Sequence, residues 1–356
     1  MGENAIRVIE LSCAQEWDRI VRSFEDHDVY SLSGYVKAFQ IHGDGQPVLF
    51  YYEGGGLRGF NVAMKRDIAQ DPHFSGRLAP GTWFDLATPY GYGGWLLEGS
   101  GDTEELDRAY SDKCAAEHIV SEFVRYHPVW NNAERMEQMY QVVYLGSTIA
   151  MDLQDADTIW SNIVSKNRNM IRKAEKSGVI VTQGREPERF AAFQRMYNET
   201  MRKDRAEAYY YFEDAFYESI RTDLCGNAQV FLAAYEDRPI AGAIMIYANG
   251  RLNYHLSGSD MAYRPLAPTN LILYRAALWG SENGYKTFHL GGGLGSQEDS
   301  LYKFKRAFYR GEPKRFAIGK KIFLREIYQE LNAARSDTPE SAFFPEYRRP
   351  AVQSEE

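Results

Sequence analysis

The sequence predicts a mixed α/β (α+β) protein built from two similar units in tandem. Three observations predict this. The chain has 356 residues, about two domains at roughly 150 residues each. Its 44% hydrophobic and 25% charged composition is that of an ordinary globular protein. And a helix, an antiparallel hairpin, a further helix and a strand follow one another in each half.

In the first half, Ser12 with Gln15 has capping-box form, and a helix is expected to run from there to about Glu25. Residues 48–52 and 60–64 read as strands around the Gly54-Gly-Gly56 turn. A Pro/Gly-rich loop at 79–81 and the segment Thr88-Pro-Tyr-Gly-Tyr-Gly-Gly94 come next. Asp102, followed by Glu105, is expected to cap a helix reaching about Tyr126, and 141–151 reads as a strand. In the second half, 157–176 is expected as one or two helices ended by Gly178. Residues 186–205 form a helix with Pro187 in its first turn and Phe190, Phe193, Tyr197 and Met201 on one face. Strands are expected at 229–235 and 240–247. Asn249-Gly250 then turns the chain into a strand at 252–257. A helix over 268–282 closes at Gly284, and a strand over 286–290 enters Gly291-Gly-Gly-Leu-Gly295. The last helix is expected at 322–335 and a loose tail from 336 onward.

The net charge of -8 is uneven. Residues 1–150 hold 12 Lys and Arg against 22 Asp and Glu, while 301–325 carry nine bases and one acid, Glu312. An acidic chain with one basic strip suits a holder of one polyanionic ligand better than a nucleic-acid coat; a solvated basic face is the plain alternative. No apolar run reaches the ~18 residues that cross a bilayer. The first ten residues carry acids and no apolar core, so no secretory signal is expected there. Three scattered cysteines (Cys13, Cys114, Cys225) argue against a disulfide framework, and seven histidines without ligand spacing argue against a metal site. A reducing cytoplasm is the expected compartment.

Several stretches together resemble the Fem-type (FemABX) peptidyltransferases: Ser165-Lys-Asn-Arg-Asn-Met-Ile-Arg-Lys-Ala-Glu-Lys-Ser-Gly178, Phe123-Val-Arg-Tyr-His-Pro128, Tyr254-His-Leu-Ser-Gly-Ser259, and Gly291-Gly-Gly through Leu301-Tyr-Lys-Phe-Lys-Arg-Ala-Phe308. The likeness spans about 29–321. It implies two tandem GNAT-like domains (acyl-CoA N-acyltransferase-like), 1–151 and 152–317, with the C-terminal helix (318–336) packing back on the first and a loose tail at 337–356. It implies transfer of an amino acid from aminoacyl-tRNA to an amine of a nucleotide- or lipid-linked peptidoglycan precursor, with no further cofactor. The chain is too short for the helical arm of some members and matches the compact ones.

Aminolysis of an activated ester needs a neutral amine held against the ester carbon and a cation or donor for the oxyanion, but no covalent nucleophile. Lys305 matches the lysine that the resemblance places at the reacting centre, in a water-poor groove between two lobes; without the resemblance it reads as a solvated rim residue. Arg205 with Tyr209, and Lys37 in the first domain, match residues the family uses for a phosphate-bearing substrate. A helix-end cation is the alternative for Arg205. Tyr254, on a strand, is a further substrate-binding candidate that could equally be packing. Tyr90 and Tyr92 sit on a glycine-permissive loop suited to a substrate wall. The 209–212 aromatic run reads as a core wedge with one hydroxyl exposed. Gly291-Gly-Gly-Leu-Gly295 lacks P-loop and dinucleotide spacing and is expected to be a tight turn delivering Lys305. At helical spacing Arg168, Arg172 and Lys176 share a face, which could meet tRNA phosphates or only water. His255 and His289 flank the expected site but read as core histidines. Cys225 at a helix end is a poor nucleophile.

Two other functions remain. One is an acyl-CoA dependent N-acyltransferase, against which the missing Q/R-x-x-G-x-G/A loop counts. The other is a non-catalytic module binding nucleotide sugars or tRNA.

Overall fold

The computed structural model describes residues 6–335 and 343–350. In chain order the elements are β1 (Arg7–Glu10), α1 (Ala14–Arg22), α2 (Ser33–His42), β2 (Gln46–Gly54), β3 (Leu57–Asp67), β4 (Phe84–Ala87), β5 (Leu96–Gly99), α3 (Glu104–Ala116), β6 (Ile119–Arg125), β7 (Gln141–Asp152), α4 (Ala156–Asn162), α5 (Ser165–Lys176), β8 (Ile180–Gly184), α6 (Pro187–Lys203), α7 (Asp214–Thr222), β9 (Ala228–Tyr235), β10 (Arg238–Ala248), β11 (Arg251–Ser259), α8 (Pro268–Glu282), β12 (Thr287–Gly291), α9 (Ser300–Arg306), β13 (Lys314–Ile322) and α10 (Arg325–Ala333). Contacts divide the chain into a unit of 1–26, 30–145 and 317–356 and a unit of 27–29 and 146–316.

The first unit is a mixed sheet in the order β1-β2-β3-β4-β6-β13, with β5 pairing β3. β4 and β6 run parallel, the other pairs antiparallel. One face buries an apolar cluster that includes Phe50, Leu86, Trp95, Leu106 and Tyr110. Within it Glu122 is 1% exposed. It accepts hydrogen bonds from Asn61 Nδ2 (2.7 Å), Tyr110 Oη (3.1 Å) and Tyr140 Oη (2.6 Å). Burial raises its carboxyl above the ordinary value and these donors oppose the rise. The second unit is the sheet β7-β12-β11-β10-β9-β8, in which β11 and β12 are parallel. Its core (Ile149, Ile171, Met245, Leu252, Leu271 and Phe288 among others) lies under α5 and α8.

Four expectations are corrected. The helix expected from Asp102 to about Tyr126 stops at Ala116. His118 takes a left-handed conformation (φ +57°), and the β-branched, aromatic 119–125 run becomes β6. The Ser12–Gln15 capping box does not form. Leu11–Cys13 is a 3₁₀ turn, and the residue capping α1 is Cys13, which makes no side-chain cap bond. The basic strip 301–325 is not one face, because α9 and β13 divide it between the two units. Lys321 turns inward, pairing with Asp107 and donating to Met139 O at 3.0 Å.

The fourth correction concerns the tail. Residues 343–350 are packed, whereas 337–342 and 351–356 lie outside the described residues. Tyr347 is fully buried; its hydroxyl hydrogen-bonds Ser121 Oγ at 2.7 Å and donates to Asp85 Oδ2 at 3.1 Å. Asp85, also fully buried, accepts from Arg66 Nε (2.7 Å) and from Arg348 Nε. These two guanidinium groups outweigh desolvation and hold its carboxyl below the ordinary value. Arg335 completes the clasp, donating to Tyr347 O and Arg349 O. Tyr328 and Leu331 of α10 pack with Ile68, Phe74, Val120 and Tyr347 of the same unit.

Candidate active site

In the second unit the parallel pair β11 and β12 is registered only from Arg251 opposite Thr287 to Asn253 opposite His289. Both strands continue, to Ser259 and Gly291, without pairing further. The sheet therefore opens at the C-terminal ends of two parallel strands, where ligands of α/β sheets commonly bind. A bulge assists the opening. Ile244 faces Leu256 and Met245 faces Tyr254, so His255 is an extra residue in β11.

The chain leaves β12 through Gly291-Gly292-Gly293 and turns into α9. A Cβ on Gly293 would lie 2.1 Å from Gln297 O and 2.4 Å from Asp299 Oδ1, so only glycine fits. Asp299 caps α9, accepting from Tyr302 N at 2.8 Å and from Leu294 N at 3.2 Å. One and a half turns later the helix points Lys305 back at the glycine turn, and Lys305 Nζ donates to Gly292 O at 2.7 Å. Lys305 is 9% exposed, and burial lowers its ammonium to about 8, against a small opposing pull from Asp299. Two of its three protons have no partner among the described residues. Lys305 is thus a desolvated cation with spare donors, and not the solvated rim residue that it reads as without the family resemblance.

The same end of the sheet carries other candidates. Tyr254 is half-buried on β11; its hydroxyl shares a hydrogen bond with Ser257 and burial pushes it up to about 12. His255 is pushed down to about 3 by burial alone, so its neutral imidazole is a weak proton acceptor at pH 7. His289 is 2% exposed on β12. The C-terminal end of α6 is tied to the end of β11: Ser259 N donates to Thr200 Oγ1 at 3.0 Å. A Cβ on Gly258 would meet the Tyr197 backbone at 2.7 Å, so the missing side chain sets this close approach. Just beyond α6, Arg205 is exposed in a left-handed conformation (φ +50°), and Tyr209 is exposed on a 3₁₀ turn. In the same aromatic run Phe212 is the wedge, buried and stacked on Phe216 at 4.2 Å.

The remaining candidates belong to the first unit. Lys37 is half-buried on α2. Phe39, on the same helix, stacks on Tyr90 at 5.5 Å, and the Tyr35 hydroxyl donates to Tyr90 O. The ring of Tyr92 lies edge-on to Tyr30 (5.7 Å) and His127 (6.0 Å), with the Arg125 guanidinium 5.6 Å above it. Arg125 Nε also donates to Gly91 O at 2.9 Å. The 88–94 loop is therefore strapped to α2 and to the end of β6. Sequence reasoning passed over Tyr30, Arg125 and His127, although Arg125 and His127 lie inside a stretch quoted for the family likeness. On α5, Arg172 and Arg168 lie 5.0 and 6.0 Å from the Trp160 ring, which gives that basic face a packing role.

Residues 161–306 match the family model of the acetyltransferase (GNAT) domain. No curated protein matches the chain. Among solved structures the chain is similar to FemX, at 14% identity and a TM-score of 0.67 over 91% of this chain and 99% of that one. It is also similar to a conserved protein of unknown function from Bacteroides thetaiotaomicron (13% identity, TM-score 0.60, 89% and 99% covered). A third is the C-terminal domain assigned to a lysylphosphatidylglycerol synthetase from Agrobacterium fabrum (12% identity, TM-score 0.54, 87% and 91% covered). The chain thus carries a GNAT-type acyltransferase domain within a mixed α+β architecture that it shares with FemX.

Proposed function

We propose that this protein transfers an aminoacyl group from aminoacyl-tRNA to an amine of a peptidoglycan precursor or a related acceptor in the cytoplasm. The observation that carries the reading is the Lys305 ammonium, desolvated and fixed at 2.7 Å on Gly292 O where β11 and β12 part. The acceptor nitrogen attacks the ester carbon, and a C–N bond forms. The carbonyl oxygen gains charge, which a fixed ammonium stabilises more in the transition state than in the ground state. The C–O bond to the ribose then breaks, and the departing oxygen takes up the proton the amine gives up. The ester is already activated, so the step needs no bound cofactor. Arg205 and Tyr209 are assigned to the acceptor's anionic groups, as are Lys37 and the Tyr90–Tyr92 loop in the first unit. Tyr254 lines the opened strand end.

The acetyltransferase family match favours one competitor, an acyl-CoA donor. Against it, the helix that follows β11 begins at Pro268, which has no N–H to offer a diphosphate. The residue before it, Ala267, is left-handed. Labelled aminoacyl-tRNA or acetyl-CoA, incubated with the protein and a panel of amines, decides between them. Label should pass from the tRNA ester and fall ~10²–10³-fold in Lys305→Ala, with ligand binding retained. Transfer only from the CoA ester overturns the donor assignment, and binding without any transfer overturns the enzyme reading.

A further inference from the structure

The sheet of the second unit ends at β8. β9 covers one edge of this strand, from Ile180 opposite Ala234 to Gly184 opposite Val230, and the other edge is unpaired among the described residues. Every second residue there turns its N–H and C=O away from the sheet, a template for one more strand. Natural sheets guard such edges with charge, proline or a bulge. In the first unit the end strand β1 carries Arg7 and Glu10. β8 reads Ile-Val-Thr-Gln-Gly, without a charge, and Ile180 is 65% exposed.

A cavity of about 430 Å³ opens beside this edge, between β8, the end of α5 and one face of α8. That volume falls within the roughly 300–1,000 Å³ of ligand sites. Val181 and Gln183 face it from β8, whereas Thr182, on the opposite face of the strand, accepts from Arg189 of α6 at 2.7 Å. Leu278 and Trp279 of α8 supply apolar walls. Three charged groups complete the lining and leave one carboxylate over. Glu175 is paired with Arg275 at 2.8 Å. Glu282 has no hydrogen-bond or ion-pair partner among the described residues. It is the last residue of α8, at the negative end of the helix dipole, where a carboxylate is unfavourable and a cation favourable. β8 itself has no basic residue, so the β8 of a second copy does not answer that charge.

We propose that β8 and this cavity dock an extended, basic peptide segment of a partner protein, which adds to the sheet as a further strand. A lysine or arginine on the face shared with Val181 and Gln183 lays its aliphatic stem on Trp279 and its charge against Glu282.

Full-length protein with ¹³C-labelled valine methyls provides the test, with the Val181 signal followed. The probe is the capped peptide Thr-Val-Thr-Arg-Thr-Val-Thr, whose arginine and valines share one face when extended. It should shift Val181 saturably. With norleucine in place of arginine it should bind about fivefold more weakly, the worth of an exposed ion pair with a cation–π contact. Glu282→Gln should weaken the arginine peptide by the same factor and leave the norleucine peptide unchanged. N-methylation of the threonines, or of the arginine and valines, blocks one strand edge at a time. One pattern should abolish binding and the other spare it. Equal binding of the arginine and norleucine peptides overturns the charge assignment, and equal effects of the two N-methylation patterns overturn strand addition. Self-association that the peptide reverses, read by sedimentation, gives the edge to a second copy and overturns the foreign partner. No shift at about 5 mM peptide, above the millimolar range of weak binding, overturns the site itself.

Discussion

Replacing Lys305 with methionine should separate stability from activity. Burial lowers the lysine from its ordinary 10.5 to about 8, a cost to the folded charged form of ~3 kcal/mol. Methionine keeps the length, removes the charge and forfeits the bond to Gly292 O, whose net worth is ~1 kcal/mol. At pH 7 the lysine is charged in both folded and unfolded chains, so the variant should be more stable by ~2 kcal/mol. The sign of the pH dependence follows from linkage. Between pH 8 and 10.5 the unfolded chain holds a proton that the folded chain has released, so wild-type stability rises with pH through that window. The variant's advantage should shrink accordingly and vanish by about pH 10.5. Urea midpoints at pH 7 and 9.5, with hydrogen exchange over 287–308 to localise the effect, measure both quantities. Transfer activity of the same variant should fall ~10²–10³-fold. A variant less stable than wild type at pH 7, or an advantage indifferent to pH, would refute the buried ammonium.

Asp85→Ala should destabilise the first unit by ~3–5 kcal/mol, because it strands two guanidinium groups, Arg66 and the largely buried Arg348. Asp85 is held below its ordinary 3.8, so its stabilisation persists above that pH and is lost as pH falls through the lower, folded-state value; acid titration of wild type against variant reads the window. Gly258→Ala should cost ~1–3 kcal/mol, as the new methyl meets the Tyr197 backbone. Acceptor KM should rise with it as the α6 end carrying Arg205 shifts, and an unchanged KM would detach α6 from substrate binding. Glu122→Gln turns an amide NH₂ toward one of three donors and should lower the unfolding free energy measured in urea by ~1–3 kcal/mol, with transfer chemistry unaltered at saturating substrate.

How much was legible depended on whether a feature was local. The hairpin β2–β3 announces itself through its glycine turn and periodicity, whereas 157–176 reads equally well as one helix or two, because no glycine or proline marks the break at Ile163-Val164. The strand β6 does not announce itself either. Its Ile119, Val120, Phe123 and Val124 follow a well-formed helix without a glycine or proline, and the chain is turned by His118 at positive φ, a conformation uncommon outside glycine and so not signalled by the residue type. The His255 bulge is a matter of pairing with β10, and nothing in one strand alone encodes it. Lys305 could be singled out by likeness to a family, yet its burial and its hold on Gly292 depend on the fold of the triple-glycine turn. Arg125 and His127, two residues apart at the end of β6, meet Tyr92 together with Tyr30, which lies about 95 residues earlier, so no local spacing marks the three as a group. The C-terminal residues gave the least warning, because proline and mixed charge look solvated until Tyr347 and Arg348 are seen against Asp85.

That clasp bears on how the protein is handled. Trimming everything after Arg335 would look, on an alignment of helices, like the removal of a disposable extension. In fact it would excise a buried tyrosine and one of the two counter-charges of a submerged aspartate, and the shortened chain should melt as though its interior had been hollowed.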